Sequence, residues 1–261
     1  MSTEILQSIL LGAVQGVTEF FPVSSTAHLV LIPWALGWHG ITDSMSFDIA
    51  LHVGTLLALL LCFYKDWLDI LLKKHKLLML LVVATIPAAV AGKLLDKFVE
   101  ETLRTPLVIA VSLIAGGVVM LYVERIGTKV KAIKDMDIYD CIIVGIAQAI
   151  AIIPGVSRSG ITISAGLMLN ITREEAARFS FIMSTPVVGG AALLHGVKLL
   201  HGKGTDFDLN VFLCGIAASF VVGLIAIKLL MVFFKKYSLV VFAYYRFVLA
   251  GVIVSLLWLK Q

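Results

Sequence analysis

Charged residues are scarce in this chain, and cysteine and proline are rare. Only 15% of the 261 residues are charged, whereas 60% are hydrophobic, and the mean hydropathy is +1.02. A soluble domain carries about 25% charged residues, so this composition excludes an ordinary globular protein and predicts an all-α polytopic membrane protein. The three cysteines, Cys62, Cys141 and Cys214, stand singly in apolar runs, which argues against a disulfide framework or a cysteine metal site.

Six apolar runs are near the roughly 20 residues that a helix needs to cross a membrane. They cover about 47–64, 76–95, 105–123, 179–200, 209–234 and 239–259. Two further apolar segments, 5–36 and 138–170, are interrupted by proline and a serine cluster. We expect each to be a re-entrant helix-loop-helix hairpin, because irregular backbone at membrane depth needs cover from protein or a wet cavity. Two ordinary spans in either segment are the alternative.

The two interrupted segments resemble each other at a fixed distance along the chain. Equivalent pairs lie 133 or 132 residues apart: Gly12 and Gly145, Gln15 and Gln148, Pro22 and Pro154, Phe47 and Phe179. This spacing predicts one integral membrane domain, residues 1–261, built from two repeats at about 1–125 and 138–261. Each repeat would have three crossings, an odd number, so the second repeat would be inverted relative to the first.

Lysine and arginine are unequally divided between the two sides of this topology. One side, with the termini and the loops near 37–46, 93–104 and 198–208, carries six of these residues, including Lys203 and Lys260; the other side carries twelve. The positive-inside rule predicts that the richer side is cytoplasmic. The termini and the site would then face the periplasmic or outer side. Basic loops that meet anionic lipid account for the net charge of +4, and we predict no nucleic-acid partner.

The first polar stretch places a carboxylate inside an apolar segment. Gln15 and Glu19 are four residues apart and share a helix face. A carboxylate at membrane depth is expensive, so Glu19 is a functional candidate, against the alternative of a structural residue satisfied by hydroxyls. The polar residues after Pro22 are predicted to cap the next half-helix and to place an imidazole in its first turn: Ser24, Ser25, Thr26 and His28.

The second polar stretch supplies a cation. Arg158 stands between Ser157 and Ser159, in a turn that runs from Pro154 to Gly160 and opens a helix. Free backbone N–H groups at that helix start and a guanidinium are suited to hold phosphate oxygens. Arg158 could instead neutralise Glu19, and the two roles are compatible. Together the stretches offer acid, base or nucleophilic groups and an oxyanion clamp, which indicates phosphoryl transfer on a membrane phosphate ester.

Four motifs, taken in order, resemble the bacitracin-resistance family of undecaprenyl pyrophosphate phosphatases. They are Gln15-x-x-x-Glu19, Pro22-Val-Ser-Ser-Thr-Ala-His28, Pro154-Gly-Val-Ser-Arg-Ser-Gly160 and Glu175-Ala-Ala-Arg-Phe-Ser-Phe181. The resemblance implies a multi-pass enzyme of the bacterial inner membrane. It would convert undecaprenyl diphosphate to the monophosphate carrier lipid of cell-wall synthesis and confer bacitracin resistance. It also implies a divalent cation, Mg²⁺ or Ca²⁺, and a possible homodimer.

The resemblance also assigns roles to matching positions. Glu19 would orient or deprotonate His28, or hold the metal with Gln15, and Ser25 or His28 would attack the terminal phosphorus. Arg158 would hold the diphosphate, with phosphate contacts from Ser24, Thr26, Ser157, Ser159 and Gly160. The amide of Gln15 is a weak ligand for a hard cation. Asp48 and His52 could line the mouth of the site, but packing or interfacial roles are preferred for both.

Other functions remain open at this stage. Inverted repeats with broken helices are also the architecture of transporters, so a transporter or flippase of a phosphorylated polyprenyl lipid is the main alternative. The mixture of Glu19, Ser25, His28 and Arg158 is richer in proton-transfer groups than transport requires. A phosphatase of the phosphatidic-acid type would need Arg-Pro and Pro-Ser-Gly-His motifs, which this sequence lacks. A structural scaffold has no reason to place Glu and Arg at this depth.

Overall fold

The computed structural model of the protein describes residues 2–200 and 208–259, so Lys203 and Lys260 lie outside the described residues. In this part of the chain the regular structure is helical, apart from one isolated bridge between Lys131 and Ile171. The α-helices are α1 (Ser2–Thr18), α2 (Ser25–Leu36), α3 (Met45–Cys62), α4 (Tyr64–Leu72), α5 (His75–Phe98), α6 (Pro106–Arg125), α7 (Ile138–Ile150), α8 (Arg158–Met168), α9 (Arg173–Leu200), α10 (Leu209–Phe234) and α11 (Val240–Leu259).

Six helices among the described residues are long and apolar enough to cross a membrane. They are α3, α6, α10, α11 and the stretches His75–Leu95 of α5 and Arg173–Leu194 of α9. Large apolar side chains such as Leu229 and Val248 are 60% and 68% exposed on these helices. Such surfaces are stable against lipid and not against water. The six predicted spans and the multi-pass membrane class are therefore confirmed.

Each of the two interrupted segments forms a pair of short helices. The first tip, residues 19–24, separates α1 from α2, and the second tip, residues 151–157, separates α7 from α8. Ser24 and Ser157 close the tips with φ values of 74° and 72°. Their hydroxyls accept hydrogen bonds from Ala27 N (3.3 Å) and Gly160 N (3.2 Å) and cap α2 and α8. The predicted cap of α2 is confirmed and is made by Ser24, whereas the equivalent cap of α8 by Ser157 was not predicted.

Close helix contacts connect the two halves of the chain. The first helix of each broken segment packs on a span of the other half, α1 on α10 and α7 on α5. A Cβ added at Gly12 would lie 2.5 Å from Gly215 O, and one at Gly145 would lie 2.6 Å from Ala84 O. Glycine at both positions therefore permits the backbones to approach each other. This packing brings the two tips together.

Two details of the predicted loops are wrong. The segment 93–104, expected as a loop, continues α5 to Phe98 and then forms a π-helical turn, Val99–Leu103. Lysines at helical spacing, flanked by apolar residues, are compatible with a continued helix, so charge alone did not mark its end. The short helix α4 was not anticipated; it follows α3 directly and buries Ile70.

Candidate active site

A cavity of about 230 Å³ lies between the two tips. We call it the tip cavity. Its apolar wall includes Ile49 of α3 and Val187 and Val188 of α9. Its polar lining comes from both tips and from α3: Thr18, Glu19, Ser24, Ser25, Thr26, His52, Ser157 and Arg158. A cavity of this size suits a phosphate-bearing headgroup, not a whole lipid.

Glu19 is the centre of the polar contacts in this cavity. It follows the last residue of α1 and is 7% exposed. Ser25 Oγ donates to its Oε2 at 2.7 Å and Gln15 Nε2 donates to the same oxygen at 3.1 Å. Arg158 forms an ion pair with Oε1, and His52 Nε2 lies 3.5 Å from Oε2. The buried carboxylate is thus surrounded by donors, which its position away from water requires.

Ser25 is the first residue of α2, directly after the cap Ser24. Its hydroxyl lines the tip cavity and donates to Glu19 at 2.7 Å. A hydroxyl within hydrogen-bond reach of a carboxylate is the geometry of a nucleophile beside its general base. The cap fixes the start of α2 and with it the position of this hydroxyl.

Arg158 comes from the other half of the chain, 139 residues from Glu19, and begins α8. Its guanidinium pairs with Glu19 through Nη2, and Nη1 lies 3.5 Å from Ser184 O. The side chain is 17% exposed and lines the tip cavity. The neutralising contact with Glu19, one of the two roles considered from the sequence, is present, and the group also faces the space where a phosphate would bind.

His28 is not brought to Glu19. Its Nδ1 lies 2.8 Å from Ser24 O and its Nε2 lies 2.7 Å from the hydroxyl of Tyr245. The two rings are stacked, with centroids 5.8 Å apart. These contacts turn the imidazole towards α11, where it lines an apolar crevice of about 270 Å³ with Leu249. The expected contact between Glu19 and His28 is therefore absent, because both ring nitrogens of His28 have other partners.

The remaining predicted phosphate-contacting residues divide into two groups. Ser24, Thr26 and Ser157 line the tip cavity. Ser159 and Gly160 are not part of the lining. Ser159 Oγ donates to Phe21 O of the first tip at 3.3 Å, and Gly160 N donates to Ser157 Oγ at 3.2 Å in the cap of α8. Their hydrogen bonds hold the protein framework beside the cavity.

Arg246 is a structural residue that the sequence reasoning missed. It is fully buried in α11 and donates to five carbonyl oxygens. Three belong to the two tips, namely Pro22 O (3.4 Å), Gly155 O (2.8 Å) and Val156 O (3.0 Å). The others are Ser112 O and Leu113 O of α6, both at 3.1 Å. The position of Arg246 within an apolar span could have indicated its importance, because an arginine at such a position is rarely without a role.

His52 was expected to serve in packing, and the structure places it in the lining of the tip cavity. Its Nδ1 lies 2.7 Å from Asp48 O, which directs Nε2 towards Glu19. Asp48 itself forms an ion pair with Arg104 and is not part of the lining. A histidine one helical turn after an acidic residue is common in packed helices, so the two roles could not be separated from the sequence.

The residues available for a divalent cation are few. Among the described residues no cluster of three or more His, Cys, Asp or Glu is arranged to hold a metal. Gln15 presents its amide N–H to Glu19, and its Oε1 is buried without a partner. Glu19 and this oxygen are too few ligands for an all-protein site. They suit a cation that also takes oxygens from substrate phosphates, as Mg²⁺ commonly does.

Comparison with known proteins identifies the family. The sequence profile described as "Bacitracin resistance protein BacA" matches residues 8–252. The chain belongs to the BacA family. It is 49% identical over 258 residues to a protein of Thermodesulfovibrio yellowstonii named undecaprenyl-diphosphatase, with 99% of each chain covered. A protein of Moorella thermoacetica with the same name is 44% identical over 267 residues, with 98% of this chain and 99% of the relative covered.

Three of the four motifs that resemble the BacA family meet at the tip cavity. The fourth, Glu175 to Phe181, does not line the cavity, although Phe181 packs edge-to-face against Phe20 of the first tip with centroids 5.5 Å apart. Arg178 Nη2 donates to Asp66 Oδ1 at 2.6 Å, and Glu175 Oε2 accepts from Ile133 N at 3.0 Å. This motif therefore joins α9 to α4 and to the connection before α7, at some distance along α9 from the residues that line the tip cavity.

Proposed function

We propose that this protein dephosphorylates undecaprenyl diphosphate to undecaprenyl phosphate at the tip cavity, and so contributes to carrier-lipid recycling and bacitracin resistance. The observation that carries the proposal is that Glu19 and Ser25 of one broken segment meet Arg158 of the other at the cavity between them. BacA-family membership supports the reaction, as do relatives named undecaprenyl-diphosphatase.

In the proposed reaction Ser25 Oγ attacks the terminal phosphorus of the lipid diphosphate. Glu19 accepts the proton of the hydroxyl and passes it to the bridging oxygen as the bond between that oxygen and the terminal phosphorus breaks, which releases undecaprenyl phosphate. Water then attacks the phosphoserine, and Glu19 takes a proton from that water and returns it to Ser25 Oγ as the phosphorus–Oγ bond breaks. Ser25 is thereby regenerated and inorganic phosphate is released. Ser25 is preferred to His28 as nucleophile because it lines the cavity and contacts Glu19 at 2.7 Å.

Arg158 is proposed to hold the terminal phosphate. Its guanidinium offers five N–H donors, and its contacts to Glu19 and Ser184 O use only two of its nitrogens. The negative charge that develops on the phosphoryl oxygens would be stabilised by a cation already fixed in place. Ser24, Thr26 and Ser157 would add hydroxyl donors, and His52 would hold Glu19 from the opposite side.

A divalent cation, Mg²⁺ or Ca²⁺, is proposed to bind together with the diphosphate. Glu19 and Gln15 Oε1 would be its protein ligands. When bound, such an ion neutralises negative charge on the phosphates. Glu19 would then be shared between the cation and Ser25, and Arg158 would remain the fixed positive charge of the protein.

The broken segments are proposed to be re-entrant hairpins of two inverted repeats, about 1–125 and 138–261, within one membrane domain. Three helices support this: α2, α7 and α8 have 12, 13 and 11 residues, about half of the roughly 20 that a span needs. The packing of α1 on α10 and of α7 on α5 also relates the halves. A homodimer, implied by the family resemblance, is a further proposal.

The tip cavity is proposed to open to the periplasmic or outer face of the bacterial inner membrane. His52 lies seven residues after Met45, the first residue of α3, which is about 10 Å along a helix. The excess of lysine and arginine on the opposite side predicts that α3 starts outside. A cysteine in place of the exposed His39 should react with a membrane-impermeant maleimide added to intact cells, whereas one in place of the exposed Lys134 should not.

Phosphate release in detergent tests the reaction itself. Purified protein should release inorganic phosphate from undecaprenyl diphosphate with Mg²⁺ or Ca²⁺ and much less with EDTA. The variant Lys236→Gln, an exposed change remote from the tip cavity, should retain wild-type turnover. Because micelles have no compartments, a folded protein that binds the lipid without releasing phosphate would point to transport.

A further inference from the structure

A second cavity, of about 560 Å³, lies near the other end of α3. The tip cavity is lined by residues early in α3, whereas the second cavity lies beside α4 and the start of α5, which follow the end of α3. Its rim is rich in basic residues, so we call it the basic cavity. These residues are Lys73, Lys74, His75, Lys76, Lys134 and Arg178.

The carboxylates of the basic cavity are already engaged by the protein. Asp66 accepts from Arg178 at 2.6 Å, and Glu175 accepts from the backbone N–H of Ile133 at 3.0 Å. Arg178 of the fourth family-like motif thus neutralises Asp66 at this site. Lys73 and Lys74 contact Asp69 at 3.2 and 3.8 Å, but these exposed pairs are weak.

Two lysines of the rim stand without an ion pair. Lys76 and Lys134 are exposed, and in residues 2–200 and 208–259 neither is within ion-pair distance of a carboxylate. Lys76 also lies in the first turn of α5, where the helix dipole favours an anion. The cavity therefore has an uncompensated positive rim.

The floor of the basic cavity is apolar, and α5, which contributes to it, also carries apolar side chains on its exposed surface. Ile70, Leu80 and Ile182 are buried and line it, together with Leu77. On the same helix as Leu77 and Leu80, Met79 and Val82 are 53% and 54% exposed and face the position of lipid chains. A ligand with a negative headgroup and apolar chains matches this arrangement better than a free anion does.

We propose that the basic cavity binds the headgroup of an anionic membrane phospholipid, with its phosphodiester at Lys76 and Lys134 and its acyl chains along α5. Basic pockets between membrane helices on the cytoplasmic side are typical binding places for such lipids. The volume is within the range of small-ligand sites. The proposal is independent of the reaction at the tip cavity, because no residue of the lining is shared.

Titration of fluorescent phosphatidylglycerol into the purified protein in non-ionic micelles tests this site. The double variant Lys76→Gln/Lys134→Gln should bind about 25-fold more weakly, since each basic residue near an anionic lipid contributes about 1 kcal/mol, or roughly 5-fold. The control Lys65→Gln/Lys236→Gln removes two exposed lysines outside the lining and should change the Kd by less than about 2-fold. Thermal unfolding and phosphate release should match wild type in both.

Competition experiments on the wild-type protein identify the chemistry of the ligand. Unlabelled phosphatidylglycerol should displace the probe, whereas phosphatidylcholine with the same chains and free glycerol 1-phosphate should not. Equal displacement by phosphatidylcholine would overturn the role of charge, and equal displacement by glycerol 1-phosphate would overturn the role of the chains. Undecaprenyl phosphate that displaces the probe at far lower concentration than phosphatidylglycerol does would assign the cavity to the carrier lipid and contradict the proposal. Equal affinity of the two double variants for fluorescent phosphatidylglycerol would also contradict the proposal.

Discussion

At the residue scale, Glu19 is the residue on which the polar contacts of the tip cavity converge, and it is also the proposed base. A buried charge that loses its partner costs several kcal/mol, and Glu19 is held by Arg158, Ser25, Gln15 and His52. Removal of any of these donors therefore affects folding as well as chemistry. Substitutions that keep a charge or a hydrogen bond in place are the informative ones.

Arg158→Lys separates the phosphate clamp from the neutralisation of Glu19. Lysine keeps the positive charge but donates from a single point, so it does not grip two phosphate oxygens as a guanidinium does. We expect turnover to fall roughly 100-fold or more, with little change in thermal unfolding. Both are measurable on purified protein in detergent.

Arg173→Lys is the matched control for that variant. Arg173 also pairs with a buried carboxylate, donating through Nε to Glu124 Oε1 at 2.9 Å, but it lies outside the tip cavity. The turnover of Arg173→Lys should stay near that of the wild-type protein. Normal turnover in Arg158→Lys, or an equal loss in both variants, would refute the clamp.

The nucleophile can be assigned by the acid stability of the phosphoenzyme. With substrate labelled in the terminal phosphate, acid quenching should trap label on Ser25, because phosphoserine survives acid and phosphohistidine does not. Ser25→Ala should abolish the adduct and lower turnover roughly 1000-fold or more. His28→Gln should still form it, whereas an acid-labile adduct that disappears in His28→Gln would make His28 the nucleophile.

At the element scale, the two broken segments depend on α11 as well as on each other. Arg246 donates to Pro22 O in the first tip and to Gly155 O and Val156 O in the second. Backbone carbonyls left unpaired in an apolar interior are costly. One side chain thus keeps two irregular stretches of backbone at a fixed separation.

Arg246→Met should therefore destabilise the protein and impair the site together. We expect a loss of about 3–5 kcal/mol, as for a buried group that leaves its partners behind, and a parallel fall in phosphate release. Tyr244→Phe, a change on the exposed side of α11, is the control. Unchanged thermal unfolding of Arg246→Met would show that the tips do not rely on this residue.

Glycines at the helix crossings make a second prediction at this scale. Gly12→Ala and Gly145→Ala would each place a Cβ within 2.6 Å of a backbone oxygen of the partner helix. Overpacking of this kind costs about 1–3 kcal/mol, so both variants should unfold at lower temperature than wild type. In Gly190→Ala the added Cβ meets no described atom within 4 Å, so this variant should unfold at the wild-type temperature. If Gly190→Ala were the most damaging of the three, the described crossings would be incorrect.

The sequence allowed the six spans and the serine cap of α2 to be predicted, because apolar length and serine before a helix are signals that lie within one segment. The two polar stretches were also expected to form one site, but the individual contacts that join the two halves could not be derived. The pair of Glu19 with Arg158 joins residues 139 apart and depends on how the two halves pack. The position of His28 also depends on this packing, because its imidazole contacts Tyr245 of α11 instead of Glu19.

At the scale of the whole molecule, two cavities of opposite character lie near opposite ends of α3. The tip cavity combines a carboxylate, a serine and an arginine, and the basic cavity combines lysines with an apolar floor. The sequence predicted a joint site of the two polar stretches but not the basic cavity, whose residues are brought together only by the packing of α4, α5 and α9. The proposed chemistry and the proposed lipid contact therefore use separate cavities.

The central claim is that Glu19 serves the hydrolysis of a polyprenyl diphosphate at the tip cavity. The most direct measurement compares phosphate release from undecaprenyl diphosphate by wild type and by Glu19→Gln, with Lys236→Gln as control. Glutamine keeps the size and a hydrogen bond to Ser25 but is not a base, so release should fall by about 100-fold or more, with thermal unfolding confirming that the variant is folded. Turnover of folded Glu19→Gln equal to wild type would contradict the account.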